Sequence, residues 1–336
     1  MYRQTRLVLV SGHAFGAAAF AGILSSDAFL ESQLEVSAVI GLPAEQARKT
    51  VGYRSLAPLA AEHNLQYLDA PDGRLAGLFG PLRSIRPHYL LVIGWSSLVG
   101  ADVLRIPADT AAAERDMPPE GGGCIGMHPT KLPEGRGQAP IPWTIIKGLS
   151  HTALSVFFLE EAADTGPVIA QYPVEVRPRE TASSLFYKME HVHFRAGADL
   201  ATDLAARSVT GAKQDESAAT RWPKRRPADG ELAPTMTGAE IDRQVRALLG
   251  PYPRAFVTGE SGRTPVRGVV PLVSPLSRRR VVQDVDEYLL PFRCADGVVG
   301  LIPDSGHEPV PVRTAADGTR ETGRELADRG LRGEPR

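Results

Sequence analysis

Short apolar runs separated by polar turns recur through the first hundred residues. Residues 6–11 (Arg-Leu-Val-Leu-Val-Ser) read as a first strand, apolar without alternation and therefore covered on both faces. Gly12-His13-Ala14-Phe15-Gly16 follows as a turn, then an Ala-rich helix to about Ser25. A second apolar strand spans 34–41, a helix 53–64 and a short strand 66–68. The helix over 74–85 stops at Arg86-Pro87, because the residue before a proline is pushed out of the helical region. Residues 89–93 (Tyr-Leu-Leu-Val-Ile) are another buried strand, closed by Gly94. Strands alternating with helices at this pace predict an α/β fold with a mainly parallel sheet.

Apolar content thins from 107 to 123, and the segment ends Pro-Pro-Glu-Gly-Gly-Gly, so an exposed loop is expected there, an insertion or a lid. Two further apolar strands follow, the first ending at His128 and the second, 151–158, followed by Asp164. If they are neighbours in one sheet, His128 and Asp164 meet at its rim as a general acid–base pair. The same residues also suit a strand-end packing role and an Asx-turn before Gly166. Beyond them come a strand over 168–176, a helix over 184–207 capped by Thr181, and a polar loop over 208–217. Composition shifts at 221–230. Thr237 and Glu240 then form a capping box ahead of a helix whose Ile241, Val245, Leu248 and Leu249 share one face. Short β-like runs at 255–258, 265–272, 280–290, 297–302 and 309–312 predict a small β-barrel, and residues 314–336, almost without apolar side chains, a disordered tail. The expected organisation is a catalytic domain over 1–208, a linker over 209–230, a C-terminal domain over 231–315 and a tail over 316–336.

The 336 residues are 43% hydrophobic and 23% charged, ordinary for a globular chain of about two domains. A net charge of −1 removes any bulk electrostatic case for nucleic acid or membrane. Two distant cysteines make neither a disulfide framework nor a zinc ligand set. No apolar run approaches the roughly 18 residues of a membrane span, and the N-terminus has no signal-peptide core, so the cytoplasm is expected. His191 and His193, two apart on a predicted helix, point to different faces and are expected in exposed or capping roles, not as metal ligands. Gly12-x-x-x-Gly16 lacks the Gly-x-Gly-x-x-Gly spacing of a dinucleotide site. Lys224-Arg225-Arg226 and Arg278-Arg279-Arg280 are solvated charge or a grip for phosphate.

His128-Pro129-Thr130-Lys131-Leu132-Pro133, Arg136-Gly137, Pro140 and Asp164-Thr165-Gly166 together resemble the formyltransferases that use 10-formyltetrahydrofolate, including the 36-residue step from 128 to 164. The resemblance covers about residues 5–210. It implies a Rossmann-like formyltransferase domain with His128 and Asp164 as catalytic residues. It also implies folate contacts from Trp95, Ser96, Ser97, Leu98 and Val99, from Thr130, Lys131, Leu132 and Pro133, and from Ala163. Residues 222–230 and 251–256 resemble the segments that join and open the C-terminal domain of methionyl-tRNA formyltransferase and of nucleotide-linked amino-sugar formyltransferases. That implies an OB-like C-terminal domain, and the Pro-Tyr-Pro and Arg-Pro-x-Asp-Gly forms lean to the amino-sugar side.

Formyl transfer needs a group to take the amine proton, a donor for the tetrahedral oxyanion and a dry pocket. Imidazole, which titrates near neutral pH, suits the first task, with Asp164 orienting it and relaying protons through water. The family carries Asn two residues before the His, whereas this chain has Gly126. A lost donor of that type costs about 10²–10³ in rate. A backbone N–H, Thr130, a water or charged His128 would have to replace it. The expected activity is transfer to a primary amine of a small metabolite, a nucleotide-linked amino sugar or a modified amino acid. Methionyl-tRNA is the less favoured acceptor. Hydrolysis of 10-formyltetrahydrofolate and non-catalytic folate binding are the remaining alternatives. No metal is expected, and the sequence carries no signal for oligomeric state.

Overall fold

The computed structural model describes residues 4–114, 117–118, 121–259, 262–271 and 289–304. It divides into two compact units, the first of residues 1–140, 151–175 and 186–223 and the second of residues 141–150, 176–185 and 224–336. In chain order the elements are β1 (Thr5–Val10), α1 (Ala14–Leu24), α2 (Asp27–Leu30), β2 (Leu34–Gly41), α3 (Ala57–Glu62), β3 (Tyr67–Asp69), α4 (Phe79–Ile85), β4 (Tyr89–Val92), α5 (Ala101–Ala112), β5 (Gly123–His128) and β6 (Arg136–Gly137). They continue with α6 (Pro140–Ile146), β7 (His151–Phe158), β8 (Val168–Glu175), α7 (Ala182–Ala205), β9 (Arg221–Trp222), α8 (Gly238–Ala247), β10 (Ala255–Gly259), β11 (Gly262–Pro271), β12 (Leu290–Cys294) and β13 (Gly297–Pro303).

The first unit is built on a seven-stranded sheet in the order β3-β2-β1-β4-β5-β7-β8. Its first five strands are parallel, while β7 runs antiparallel to both β5 and β8. This is the mainly parallel sheet that the alternating pattern predicts, in the Rossmann-like arrangement that the resemblance implies. Leu7, Val8, Leu9 and Val10 are each 0% exposed, which is why β1 is apolar without alternation. Val8, Val10, Ile40, Leu90 and Val92 pack with Leu82 of α4 and Val103 and Ile106 of α5. Elsewhere α1 and α7 meet backbone to backbone. A Cβ on Gly22 would lie 2.0 Å from the Phe194 carbonyl oxygen, and one on Gly197 2.0 Å from that of Ala19. Only glycine allows that approach.

In the second unit α8 covers a four-stranded antiparallel sheet in the order β10-β11-β13-β12, curled into an OB-like half-barrel. The predicted capping box is present: Thr237 Oγ1 accepts the Glu240 N–H at 3.2 Å, and Glu240 Oε2 accepts the Thr237 N–H at 2.8 Å. Ile241, Val245 and Leu248 bury against Val257, Val266, Phe292 and Leu301. The expected run at 309–312, nearly all of that at 280–290, and the tail lie outside the described residues. Arg278-Arg279-Arg280 lies there too. Arg225 is not solvated charge. Its guanidinium lies 4.9 Å from the Trp143 ring centroid and donates to the Asp229 carbonyl at 2.6 Å.

Several elements depart from expectation. The loop expected over 107–123 begins only after Ala112. α5 runs through Pro107 because Val103, Ile106, Pro107, Thr110 and Ala111 line its buried face at helical spacing. Past the helix, Met117 is also buried. The helix expected over 53–64 is confined to α3, since Tyr53 bridges to His13 and donates its hydroxyl to the Leu42 carbonyl at 3.0 Å. The helix expected over 74–85 opens as a 3₁₀ turn over Leu75–Leu78 before α4. Residues 209–222, placed in the expected linker, belong to the first unit, where β9 pairs with β6 and Trp222 is buried.

His193 is neither exposed nor a cap. It is 0% exposed and stacked 4.5 Å from Phe15, and it donates from Nδ1 to the Met189 carbonyl at 2.7 Å. Burial pushes its pKa down to about 3, and burial with the nearby Arg54 cation pushes that of His13 down to about 4. Both imidazoles therefore stay neutral in the fold at pH values where the unfolded chain takes up protons. Their stabilisation is complete above about pH 6.5 and is lost as pH falls toward these lowered values, at about 1.4 kcal/mol per unit for each ring. Thermal unfolding at pH 5 and pH 7 should show a lower Tm at pH 5. His193→Gln should flatten that fall by about 2 kcal/mol. An identical pH slope in the variant would contradict this account.

Candidate active site

β4 pairs with β5 only as far as Leu91 and Ile125, so residues 126–128 run on past that pairing at the carboxyl edge of the parallel strands. His128 ends β5 there. The expected meeting of two strand ends needs correction. β5 and β7 are neighbours but antiparallel, with His128 opposite Ser155 and Phe158 opposite Ile125. The end of β7 therefore lies about 10 Å back along β5. The connection from β7 to β8 folds back and carries Asp164 to His128, in a left-handed backbone conformation with φ of 61°.

The His128 side chain is 9% exposed, and Nε2 lies 2.9 Å from the Gly135 carbonyl oxygen. A carbonyl can only accept, so Nε2 carries the proton and the Nδ1 lone pair of the neutral ring faces away from it. Nδ1 lies 3.8 Å from Asp164 Oδ1, beyond direct hydrogen-bond range. The other carboxylate oxygen, Oδ2, accepts the Gly137 N–H at 2.8 Å.

The folate residues implied by the resemblance fall into groups. In the loop after β5, the Ser155 hydroxyl donates to the Thr130 carbonyl at 2.7 Å and accepts the Leu132 N–H at 3.1 Å. Gln171 donates to the Leu132 carbonyl at 2.8 Å and to the Ser155 hydroxyl at 2.9 Å. Thr130 and Leu132 are thereby buried, Lys131 is exposed and Pro133 half-buried. Thr130 Oγ1 is buried with no hydrogen-bond partner. In the segment after β4, Trp95 and Val99 pack, with Leu159, against one apolar cluster of the sheet. Ser96 is exposed, Ser97 half-buried and Leu98 70% exposed. Ala163, half-buried, directly precedes Asp164.

Gly126 is flanked by apolar side chains. A Cβ there would sit 2.6 Å from Leu159 Cδ2 and 3.3 Å from the Phe157 ring. Leu159 and Phe157 thus occupy the space that an Asn side chain would need.

Sequence reasoning missed the residues that hold this site. Thr220 Oγ1 accepts the Gly135 N–H at 2.8 Å, behind the carbonyl that receives His128. Gln214 Nε2 donates to the carbonyls of Asp164 at 3.0 Å and Gly166 at 2.7 Å. Arg136, 4% exposed, grips Gln214 Oε1 through Nε and Nη2 and pairs with Glu216 at 2.6 Å. Arg136-Gly137 therefore holds loop geometry. Gln214 and Thr220 carry no sequence signal beyond polarity, because their partners lie 48 to 85 residues away. Among the described residues, no group of three His, Cys, Asp or Glu could hold a metal ion, and no helix is long and apolar enough to cross a membrane.

A family model described as formyl transferase matches residues 31–196, which include His128 and Asp164. The methionyl-tRNA formyltransferase of Lachnospira eligens is 26% identical over 231 residues, covering 68% of this chain and 69% of that protein. Its counterpart in Nitrosomonas eutropha is 27% identical over 200 residues, covering 60% of this chain and 59% of that protein. Among solved structures, the N-formyltransferase from Helicobacter canadensis in complex with folinic acid and dTDP-3-aminofucose has a TM-score of 0.62 at 13% identity, covering 90% of this chain and 100% of that one, which shows a shared fold. Residues 31–196 thus place the chain's first unit in the formyl transferase family.

Proposed function

We propose that this chain moves the formyl group of 10-formyltetrahydrofolate to a primary amine on a small metabolite, such as a nucleotide-linked amino sugar or a modified amino acid. The observation that carries this reading is the buried His128 ring, held at Nε2 by Gly135 and facing Asp164 with Nδ1 across 3.8 Å. The amine nitrogen bonds to the formyl carbon, the bond from that carbon to N10 breaks, and one amine proton ends on N10. His128 Nδ1 is the free base for that proton. The Asp164 carboxylate faces the same nitrogen and balances the charge as it arrives. The gap between Nδ1 and Oδ1 suits a bridging water or the substrate amine itself.

The residues present fit a folate. Trp95, Leu98 and Val99 offer apolar surface in the segment after β4, with Leu98 projecting into solvent. Thr130 Oγ1 is a buried hydroxyl without a partner, two residues past His128, and it is the side-chain donor available to the developing oxyanion where Gly126 has none. The Helicobacter canadensis neighbour with folinic acid and a nucleotide-linked amino sugar supports both substrates. The curated relatives favour a second reading, with methionyl-tRNA as acceptor.

Incubation with 10-formyltetrahydrofolate and a panel of amino-sugar nucleotides, hydroxyornithine and methionyl-tRNA separates these readings. Formylation of a small amine is expected, and His128→Ala should lower its rate at least about 10²-fold. A rate that survives His128→Ala would sink the mechanism. Formylation confined to tRNA, with binding that weakens steeply with salt, would favour the second reading. Formate release without any amine would mark a hydrolase.

The oxyanion assignment has its own test. Thr130→Val removes a buried unpaired hydroxyl, so stability should hold or rise while kcat falls about 10²-fold. An unchanged kcat would remove Thr130 from the reaction. Gly126→Asn should lower stability by about 1–3 kcal/mol through overpacking, and Leu159→Ala in the same chain should recover most of it. Denaturant unfolding of the single and double variants reads this directly.

A further inference from the structure

The loop that presents Asp164 does not stand on its own contacts. Asp164 has φ of 61°, in the left-handed region that L side chains rarely adopt, and such a residue persists only where its surroundings over-determine it. The chain from 212 to 222 supplies those surroundings. Ala212 and Val168 exchange two backbone hydrogen bonds at 2.8 Å, fixing the entry to β8. Gln214, 7% exposed, then places one amide nitrogen between the carbonyls of Asp164 and Gly166. Its amide oxygen is locked by two Arg136 N–H groups, at 3.2 and 2.8 Å. Every polar atom of the amide is thus used, and the amide cannot flip without setting an oxygen against two carbonyls. Six residues further on, the Thr220 carbonyl accepts the Arg136 N–H at 3.0 Å, and β9 pairs with β6 to fix the Gly137 N–H that holds Asp164 Oδ2.

We propose that Gln214 is the positioning residue of Asp164, and that residues 212–222 act as a clamp setting the distance between Asp164 and His128. This rests on the acid–base reading of that pair. Gln214 touches no reacting atom in this account and acts through the backbone of the Asp164 turn.

Two substitutions probe it. Gln214→Glu keeps an acceptor for Arg136 but turns an oxygen toward the Asp164 and Gly166 carbonyls. Gln214→Met keeps the volume and loses every hydrogen bond. Both should lower kcat about 10- to 100-fold, as a displacement of about 1 Å does, with the KM for 10-formyltetrahydrofolate unchanged. Gln214→Glu retains the Arg136 contact and is the variant to read should Gln214→Met fail to fold. On an Asp164→Ala background neither substitution should cost anything more, because its effect runs through Asp164. Wild-type kcat in Gln214→Glu, or a full further loss on the Asp164→Ala background, would overturn the proposal. Asp164→Ala at the wild-type rate would instead tell against the reading of the pair. Hydrogen exchange over residues 159–168 is the readout that needs no turnover. Gln214→Glu should speed it at least about tenfold, the equivalent of one neutral hydrogen bond lost, and unchanged protection would mean that Gln214 does not hold the loop.

Discussion

At Asp164 an L-residue is held at φ of 61°, a conformation that crowds its own Cβ against the backbone at a cost of about 1–2 kcal/mol. The geometry of the candidate site depends on that turn. β7 runs away from His128, so a carboxylate reaches the imidazole only if the following loop doubles back. Gly166 is part of the same constraint. A Cβ at 166 would lie 1.9 Å from the Phe158 carbonyl oxygen, so the return path is open only to glycine. Asp-Thr-Gly thus joins a strained carboxylate to a residue without a side chain, and Gln214 bonds to the carbonyls of both.

The imidazole side of the pair is built differently. His128 ends a buried strand, and its ring is fixed by one carbonyl, that of Gly135, whose N–H is tied to Thr220. The loop between them is stapled to the sheet by Ser155 and Gln171 on β7 and β8. Two supports of different kinds therefore meet at one gap of 3.8 Å: a hydroxyl and an amide on the sheet, and the pair that Arg136 of β6 makes with Gln214 in the chain after α7. Buried polar groups that are fully satisfied rigidify their surroundings, whereas the Thr130 hydroxyl, in the same loop, is left without a hydrogen-bond partner.

The parts of the fold visible in the sequence are those governed by local rules. β1 and β4 show as apolar runs without alternation because helices cover both faces of the sheet, and α8 shows through its capping box and one apolar stripe. His128 and Asp164 are visible because their spacing and flanking prolines and glycine form a motif. The hidden parts obey non-local rules. Pro107 masks an α5 stripe that tertiary packing restores. His193 reads as polar yet is enclosed by aromatic contacts from α1. Residues 209–222 read as a linker because polarity without periodicity looks like solvent-facing chain. The side chains of Gln214, Glu216 and Thr220 are polar for another reason: Gln214 donates to the carbonyls of Asp164 and Gly166, and all three accept from Gly135 or Arg136, which no local pattern records.

Gly126 belongs to this same logic. Removing the side chain at that position would ordinarily leave a void beside His128. Here Leu159, the first residue of the returning loop, fills it, with its backbone N–H bonded to the Cys124 carbonyl at 2.8 Å and its side chain on the apolar cluster that also seats Trp95 and Val99. The glycine and the leucine are therefore one feature. The wall beside the imidazole becomes apolar instead of hydrogen-bonding, and the loop bearing Asp164 gains an anchor at its start. An apolar wall strengthens the electrostatic contacts left beside it, that of Asp164 Oδ1 across 3.8 Å from His128 Nδ1 among them. On the proposed acid–base reading, a site without an amide donor at 126 leans more heavily on His128 and Asp164, and the hydrogen bonds with Gly135, Gly137 and Gln214 hold those two residues in place.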